Sequence, residues 1–400
     1  MFYCNKLLDI EMTISENEYS GSFGHYFQHY LPDNRFGDIE NILEKRGFSG
    51  KIISYSDIYS LSPINAVLCN LADNIINYCN LTWGCNSEIN ICFIDCDGLE
   101  NAFCSKIRDR YVICYFSGLT GLLARNCSIW PCTEIGKEFM DISDDFHEVI
   151  TEKNYKKLPR ENGIPIITTT KDPSLFKLLC GVFGMVIFHE IGHILNGHLD
   201  FKISKENFLS IDGIHLFEDR SSSLRTYNTL EFDADAFAAI GWLNMVRSAM
   251  NKKYSKVPEF LKFSYKSPND LGEFSLICAF LMFLGDDVIP YRDNDDYTFD
   301  KTHARSDVRA WCIMLTIAEF LHRHRLSKNP YEHIASVYTS MISSSVLITG
   351  NDVKSMSEIM DYYLEYLNLV LPRWATLRDT LQLIKPSKLS NLAPASCEKG

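Results

Sequence analysis

The chain has 400 residues, 46% of them hydrophobic and 22% charged, with a net charge of −12. These proportions are ordinary for a folded globular protein, and the length suggests one large domain or two modest ones with a core that needs no disulfides or repeats. The acidic balance argues against a broad nucleic-acid-binding surface, so no nucleic-acid partner is expected. The 14 cysteines are scattered singly, many inside apolar runs such as Val112-Ile113-Cys114-Tyr115 and Leu178-Leu179-Cys180. They read as small buried hydrophobes in a reducing, cytoplasmic compartment. Cys92 and Cys96 lie four apart and Cys127 and Cys132 five apart; neither pair has the CxxC spacing of a structural zinc site.

Residues 1–60 lack clear periodicity and read as an N-terminal accessory region. They open without the basic start and long apolar run of a signal peptide. His25 and His29 are spaced for one helix face, with Gly21 and Gly24 favouring a loop equally. Pro63 is placed to start a helix that runs to about Tyr78. Glu88 to Asp95 alternates and is rich in Ile and Phe, which predicts a strand. Arg110 to Phe116 predicts a second, and Ser117 is placed to cap a short helix through Leu123. Residues 126–172 read as an insertion.

Asp172 and Pro173 signal a helix start, and a long helix is expected from Ser174 to about Leu199. Residues 200–228 are polar and Ser-rich and read as a long loop. A helix follows from Leu230 to Met250, and others near 270–285, 305–325, 330–345 and 352–370. The stretch Phe274 to Leu284 is strongly apolar but short of the roughly 20 residues that span a bilayer, so a buried core helix is expected and no stable membrane insertion. The polar end, 387–400, reads as a disordered tail. The expected class is α+β, mostly α, with a small sheet built before the long helix.

That helix carries His189-Glu190-Ile191-Gly192-His193. Two histidines four apart project from one helix face, one turn apart, and suit a tetrahedral zinc ion with one position left for water. Glu190, next to the first ligand, is placed to face the attacking water rather than the metal. Zinc lowers the pKa of such a water to about 7, and a carboxylate can take its proton. The motif has only three fixed positions, but its apolar flanks, Ile187-Phe188 and Ile194-Leu195, anchor it in a core and favour the metal over two satisfied core histidines.

A third ligand is needed. His198 follows His189 by nine residues, one short of the longer HExxHxxGxxH pattern, and Gly197 directly precedes it, so register and glycine are both wrong. Glu231 and Asp235, in Leu230-Glu231-Phe232-Asp233-Ala234-Asp235-Ala236, share one helix face, and the alanines would let that helix approach closely. Glu231 is therefore expected as third ligand and Asp235 as acceptor of a ligand histidine's free N–H. Asp233 is expected to point elsewhere. The plain alternative is an acidic helix start favoured by the helix dipole.

HExxH followed by Glu-x-x-x-Asp resembles the gluzincin metallopeptidases. More closely, the chain resembles the HtpX-type and CAAX-endopeptidase-type proteases over about residues 89–310. Ile91-Cys92-Phe93-Ile94-Asp95 followed by Asn101-Ala102-Phe103 is similar to that family's strand and its NAF edge strand. Tyr111 to Leu122, with Gly118-Leu119, is similar to its next strand and helix. The motif helix carries the family's frequent histidine at the tenth motif position, here His198, and Thr302-His303 with Arg309 resembles its THPxxxxR segment. Cys104 stands where Ala is usual and Ala304 where Pro is usual; 126–172 and 200–228 look inserted, and the transmembrane helices of membrane members are not evident. A looser likeness runs to phage-exclusion peptidases of the Lit type.

The resemblance implies a zincin-like metallopeptidase domain over 61–325, a C-terminal helical region over 326–386, and one Zn2+ held by His189, His193 and Glu231. It implies an edge strand at Asn101, Ala102 and Phe103 on which a protein or peptide substrate adds antiparallel. It also implies His303 as donor to the developing oxyanion, with Asp235 and Arg309 in support, Arg309 orienting the His303 loop or holding a substrate carbonyl. The expected function is a zinc endopeptidase with Glu190 as general base. The alternatives are a latent peptidase covered by 126–172 or 200–228, and an inactive fold serving as a peptide-binding regulator or defence-type effector. Substrate identity and oligomeric state are open.

Overall fold

A computed structural model describes residues 28–61, 63–96, 101–129, 160–161, 164–165, 173–205, 220–250, 268–283, 306–349 and 356–388. Among them the chain is mostly helical, with one mixed four-stranded sheet and a two-stranded hairpin. The sheet combines β1 (Lys51–Ile52), β2 (Glu88–Asp95), β3 (Ala102–Ile107) and β4 (Arg110–Phe116) in the order β1-β2-β4-β3. β2 and β4 pair in parallel; β1 pairs with β2, and β3 with β4, antiparallel. The short strands β5 (Arg160–Glu161) and β6 (Ile164–Pro165) form the hairpin inside the expected 126–172 insertion.

The two central strands are buried on both faces. Ile89, Ile91, Phe93, Tyr111, Ile113 and Tyr115 join the main helical core. Cys92, Ile94, Val112, Cys114 and Phe116 point the other way, into a second core closed by Leu31 and by Ile39 and Leu43 of helix α1 (Phe36–Lys45). Two-sided burial is why these strands are apolar nearly throughout. The segment read as accessory therefore includes the cover for the sheet's second face, while its α2 (Tyr55–Leu61) joins the main core through Ile58. His29 is buried, its ring nitrogens 3.2 Å from the Ile89 carbonyl and 3.2 Å from Asn77 Oδ1; His25 lies outside the described residues.

On the main face run α3 (Pro63–Trp83), α4 (Ser117–Ile129), α5 (Pro173–Leu195) and α6 (His198–Lys205), then α7 (Arg220–Met250), α8 (Pro268–Phe283), α9 (Ser306–Arg323), α10 (Pro330–Thr349) and α11 (Met356–Ile384). Two expectations need correction. The long helix does not reach Leu199: it ends at Leu195, and Gly197, with φ +83°, turns the chain into α6. Much of the expected 200–228 loop is helical, because α6 extends to Lys205 and α7 begins at Arg220. Ser117 Oγ accepts from the Cys96 amide at 2.9 Å, tying α4 to the end of β2.

α5 is the central helix. Lys177–Leu195 is long and apolar enough to cross a membrane, and its apolar window is wholly buried in the protein. Val182, Phe183, Ile187, Ile191, Ile194 and Leu195 are all fully or nearly fully buried. At about 1.5–3 kcal/mol each, their burial outweighs the cost of holding a few polar groups of the same helix out of water, about 1–3 kcal/mol each.

α7 crosses α5 at very close range. A Cβ on Gly192 would lie 3.2 Å from Ala234 Cα, and one on Gly241 would lie 2.5 Å from Phe188 Cδ1. The small-residue approach expected from the alanines is present, with Ala234, Ala238 and Ala239 all buried. α11 braces this pair from outside. Trp374, Leu377 and Leu381 pack with Phe201 of α6 and Leu230 of α7, and the Tyr366 hydroxyl donates to the Asn228 carbonyl at 2.9 Å. The chain beyond Pro386 was expected to be a disordered tail, yet Ser387 Oγ donates to the Leu195 carbonyl at 2.8 Å and the Lys388 amide to the Trp83 carbonyl at 2.9 Å.

Candidate metal centre

α5 and α7 bring three side chains to one point. His189 Nε2 and His193 Nε2 are 3.1 Å apart. Glu231 spans them, with Oε2 3.3 Å from His189 Nε2 and Oε1 3.3 Å from His193 Nε2. All three residues are buried. A tetrahedral ion bonded at about 2.0–2.2 Å has ligand–ligand edges of about 3.3–3.6 Å. The separation of each imidazole from its nearer Glu231 oxygen matches such an edge, one donor atom from each residue lies within 4.8 Å of the others, and two imidazole nitrogens with one carboxylate are donors that zinc accepts. The residues thus fit a metal ion, and they are the set expected from the sequence.

Support comes from the side of α7. Asp235 Oδ1 lies 2.9 Å from His189 Nδ1, in a contact bent away from hydrogen-bond geometry. Arg309, on α9, donates from Nε and Nη2 to the two oxygens of Asp235, both at 2.8 Å, and from Nη2 to Glu231 Oε2 at 3.3 Å. Its guanidinium also sits 4.8 Å from the centre of the Phe283 ring. Arg309, expected in support of the site, is thus placed on the carboxylates of α7. The reason is geometric, since a buried arginine beside two buried carboxylates is consumed by them.

The electrostatics follow. Burial disfavours a charge on His189, but Asp235 and then Glu231 outweigh it and carry the imidazole up to about 10. Burial dominates at His193 and pushes it down to about 3, against the pull of Glu231. Burial also disfavours the Asp235 carboxylate, yet Arg309 and His189 hold it below its ordinary value. These opposite directions favour the shared proton on His189 in the metal-free chain, facing His193 Nε2 across the 3.1 Å gap.

Glu190 points out of the triangle toward the sheet. Its carboxyl pKa is raised, chiefly by burial, against the opposing influence of His189 and a hydrogen bond from the Cys104 thiol. Cys104 belongs to β3, the edge strand, which pairs on one side only among the described residues. The expected edge strand is thus present beside the motif helix. Ala102 and Phe103 open it, and the Ala102 amide donates to Asn101 Oδ1 at 2.8 Å. His303 lies outside the described residues.

Asp233 was expected to point away. It is instead buried against the site, accepting from Asn196 Nδ2 at 2.6 Å and lying 3.0 Å from His198 Nε2. His198 was rejected as a ligand by register, and it stays out of the triangle, with Nδ1 2.9 Å from His193 Nδ1. The signal for this arrangement was Gly197, which ends helices by adopting positive φ; read as a terminator, it would have taken His198 off the long helix.

No protein-family profile, no curated protein and no solved structure matches the chain.

Proposed function

We propose that the chain is a zinc-dependent endopeptidase with a zincin-like core. The observation that carries this is the His189–His193–Glu231 cluster, its two Nε2 atoms 3.1 Å apart and each 3.3 Å from a different oxygen of Glu231, with a second carboxylate, Glu190, adjacent to its first histidine. His189, His193 and Glu231 would hold the ion. When bound, zinc supplies Lewis acidity that polarises a carbonyl and lowers the pKa of water to about 7.

The chain's own groups do the rest. Glu190, its affinity for a proton raised by burial, takes a proton from the attacking water and passes it to the leaving amine, work that suits a carboxyl tuned upward. β3 has no strand on its outer side among the described residues, and an extended substrate adding there would run along Asn101, Ala102 and Phe103, displacing the Ala102 amide from Asn101 Oδ1. His303 belongs to the same reading as the oxyanion donor.

Two measurements test this. Metal analysis of the purified chain should find about one zinc per molecule, and a peptide library followed by mass spectrometry should find cleavage that Glu190→Gln abolishes while zinc is retained. Cleavage at the wild-type rate by that variant would refute the mechanism. Zinc without any cleavage would favour a peptide-binding regulator. The burial of Glu190, at 6% exposure, favours a second reading, a latent peptidase whose site must open; activity that rises on limited proteolysis would identify it.

A further inference from the structure

Behind His193, away from His189 and Glu231, lies a chain of buried polar groups that the ligand triangle does not use. His193 Nδ1 is 2.9 Å from His198 Nδ1, and His198 Nε2 is 3.0 Å from Asp233 Oδ2. Asn196 Nδ2 donates to that same oxygen at 2.6 Å. His198 is fully buried, Asn196 4% exposed and Asp233 9% exposed.

The turn that makes this possible is specific. On a continuous helix a residue five positions after His193 would point about 140° away from it. Here the Gly197 amide closes on the Ile194 carbonyl at 3.0 Å, φ at Gly197 is +83°, and α6 starts at His198. The second imidazole is thereby folded back on the first, ring centroids 5.0 Å apart. A side chain at 197 is barred twice, by the dihedral and by Lys385 Cα, which a Cβ would meet at 2.9 Å.

We infer that His198 and Asp233 are positioning residues for His193, forming a relay that fixes its tautomer and aims its Nε2 at the metal. The inference rests on the metal-centre reading above. The direction of every proton follows from the ends. With the Nε2 lone pair of His193 committed to the ion, its proton sits on Nδ1 and is donated to His198 Nδ1. His198 then carries its own proton on Nε2 and donates it to Asp233 Oδ2. The two histidines therefore meet the carboxylates of one helix differently: His189 faces Asp235 at 2.9 Å as an ion-pair contact, and His193 reaches Asp233 through an intervening imidazole. α7 supplies both carboxylates as well as the ligand Glu231. Groups that orient ligand histidines carry about 10–100-fold in metal affinity.

The test uses the full chain and four proteins: wild type, His198→Ala, His198→Gln and Asp233→Asn. Zinc affinity is measured by chelator competition, the geometry by the visible spectrum of the cobalt(II) form, and the tautomer of His193 by nitrogen-15 NMR of the zinc form. Circular dichroism confirms folding, and if His198→Ala does not fold, Asp233→Asn and His198→Gln carry the comparison. Zinc affinity is expected to fall about 10–100-fold in His198→Ala and in Asp233→Asn, with a changed cobalt spectrum. His198→Gln, whose amide can accept from Nδ1–H and donate to Asp233, should recover most of the loss. In the wild type His193 should carry its proton on Nδ1. Undiminished affinity in both His198→Ala and Asp233→Asn, or equal loss in the Gln and Ala variants, would overturn the relay and leave the metal centre standing. Failure of the wild type to bind zinc would instead overturn the metal centre, and the relay with it.

Discussion

Arg309 grips Asp235 with two hydrogen bonds of 2.8 Å, one to each carboxylate oxygen. The pair is buried, at 11% and 2% side-chain exposure, and Glu231 stands beside it within 3.3 Å of the same guanidinium. Together with the protonated His189, this cation offsets two carboxylates that would otherwise repel at the centre of the fold. Removing it leaves uncompensated buried charge, which costs about 3–5 kcal/mol. Arg309→Met is expected to destabilise the metal-free chain by about that amount in urea unfolding at neutral pH. Arg309→Lys should recover only part, because an ammonium cannot reproduce the two-pronged grip. An unchanged unfolding midpoint in Arg309→Met would show that the carboxylates find compensation elsewhere.

Glu231→Ala should weaken zinc more than any variant of a supporting residue, beyond the roughly 10–100-fold that such residues carry. It removes a donor rather than the means of orienting one. Chelator competition on the same preparations decides the point, and wild-type affinity in Glu231→Ala would remove Glu231 from the ligand set.

Zinc binding at pH 7 should release about one proton per ion. Burial works against charge on His189, but Asp235 and Glu231 hold it protonated up to about 10, and a ligand nitrogen must lose its proton to bind a metal. Calorimetry in buffers of different ionisation enthalpy reads the number directly. Zero protons released would mean that the free His189 is already neutral.

The same two histidines give the metal-free chain a stability maximum. The folded pKa of His189 is above the ordinary 6.5, so its contribution is full below 6.5 and is lost as pH rises toward about 10. His193 is pushed down, chiefly by burial, to about 3. Between 6.5 and 3 the unfolded chain takes up a proton there that the folded chain refuses, so stability falls with falling pH. Each group contributes a slope of at most about 1.4 kcal/mol per pH unit. Denaturation of the metal-free chain should therefore show these two contributions peaking near pH 6.5. His193→Phe should flatten the acid limb, and an acid limb of unchanged slope in that variant would contradict the assignment.

Gly241→Ala places a methyl carbon 2.5 Å from Phe188 Cδ1, in a ring that is itself fully buried. The ring belongs to the residue before His189 and is packed on every side, so the helices must part. A loss of about 1–3 kcal/mol is expected, read by urea unfolding. Wild-type stability would mean that the crossing of α5 and α7 has slack at this point.

The local patterns were legible in the chain. The bounds of β2 and β4 follow from Ile- and Phe-rich runs ended by polar residues, and observed strands match them. The helix start at Pro63 was also read from one residue type. The site was legible in outline because helical spacing fixes which residues share a face: His189 with His193, and Glu231 with Asp235. Spacing failed where the backbone departs from a regular helix. His198 was judged by its register on a helix that stops at Leu195, and Asp233 by a helical wheel that knew nothing of the turn packed against it.

What the sequence by itself determined is the pair His189 and His193 with Glu190 between them, because a five-residue motif on an apolar helix needs only local geometry. It also nominated Glu231 by chemistry and spacing. What the tertiary structure decided is which groups from distant segments face that helix: Arg309 from α9 on the two carboxylates, Cys104 from the edge strand on Glu190, and Asp233 reaching His193 through His198. Those contacts depend on how closely α7 crosses α5 and on the turn at Gly197, and both are set by packing across the whole core, which no local pattern of residues encodes.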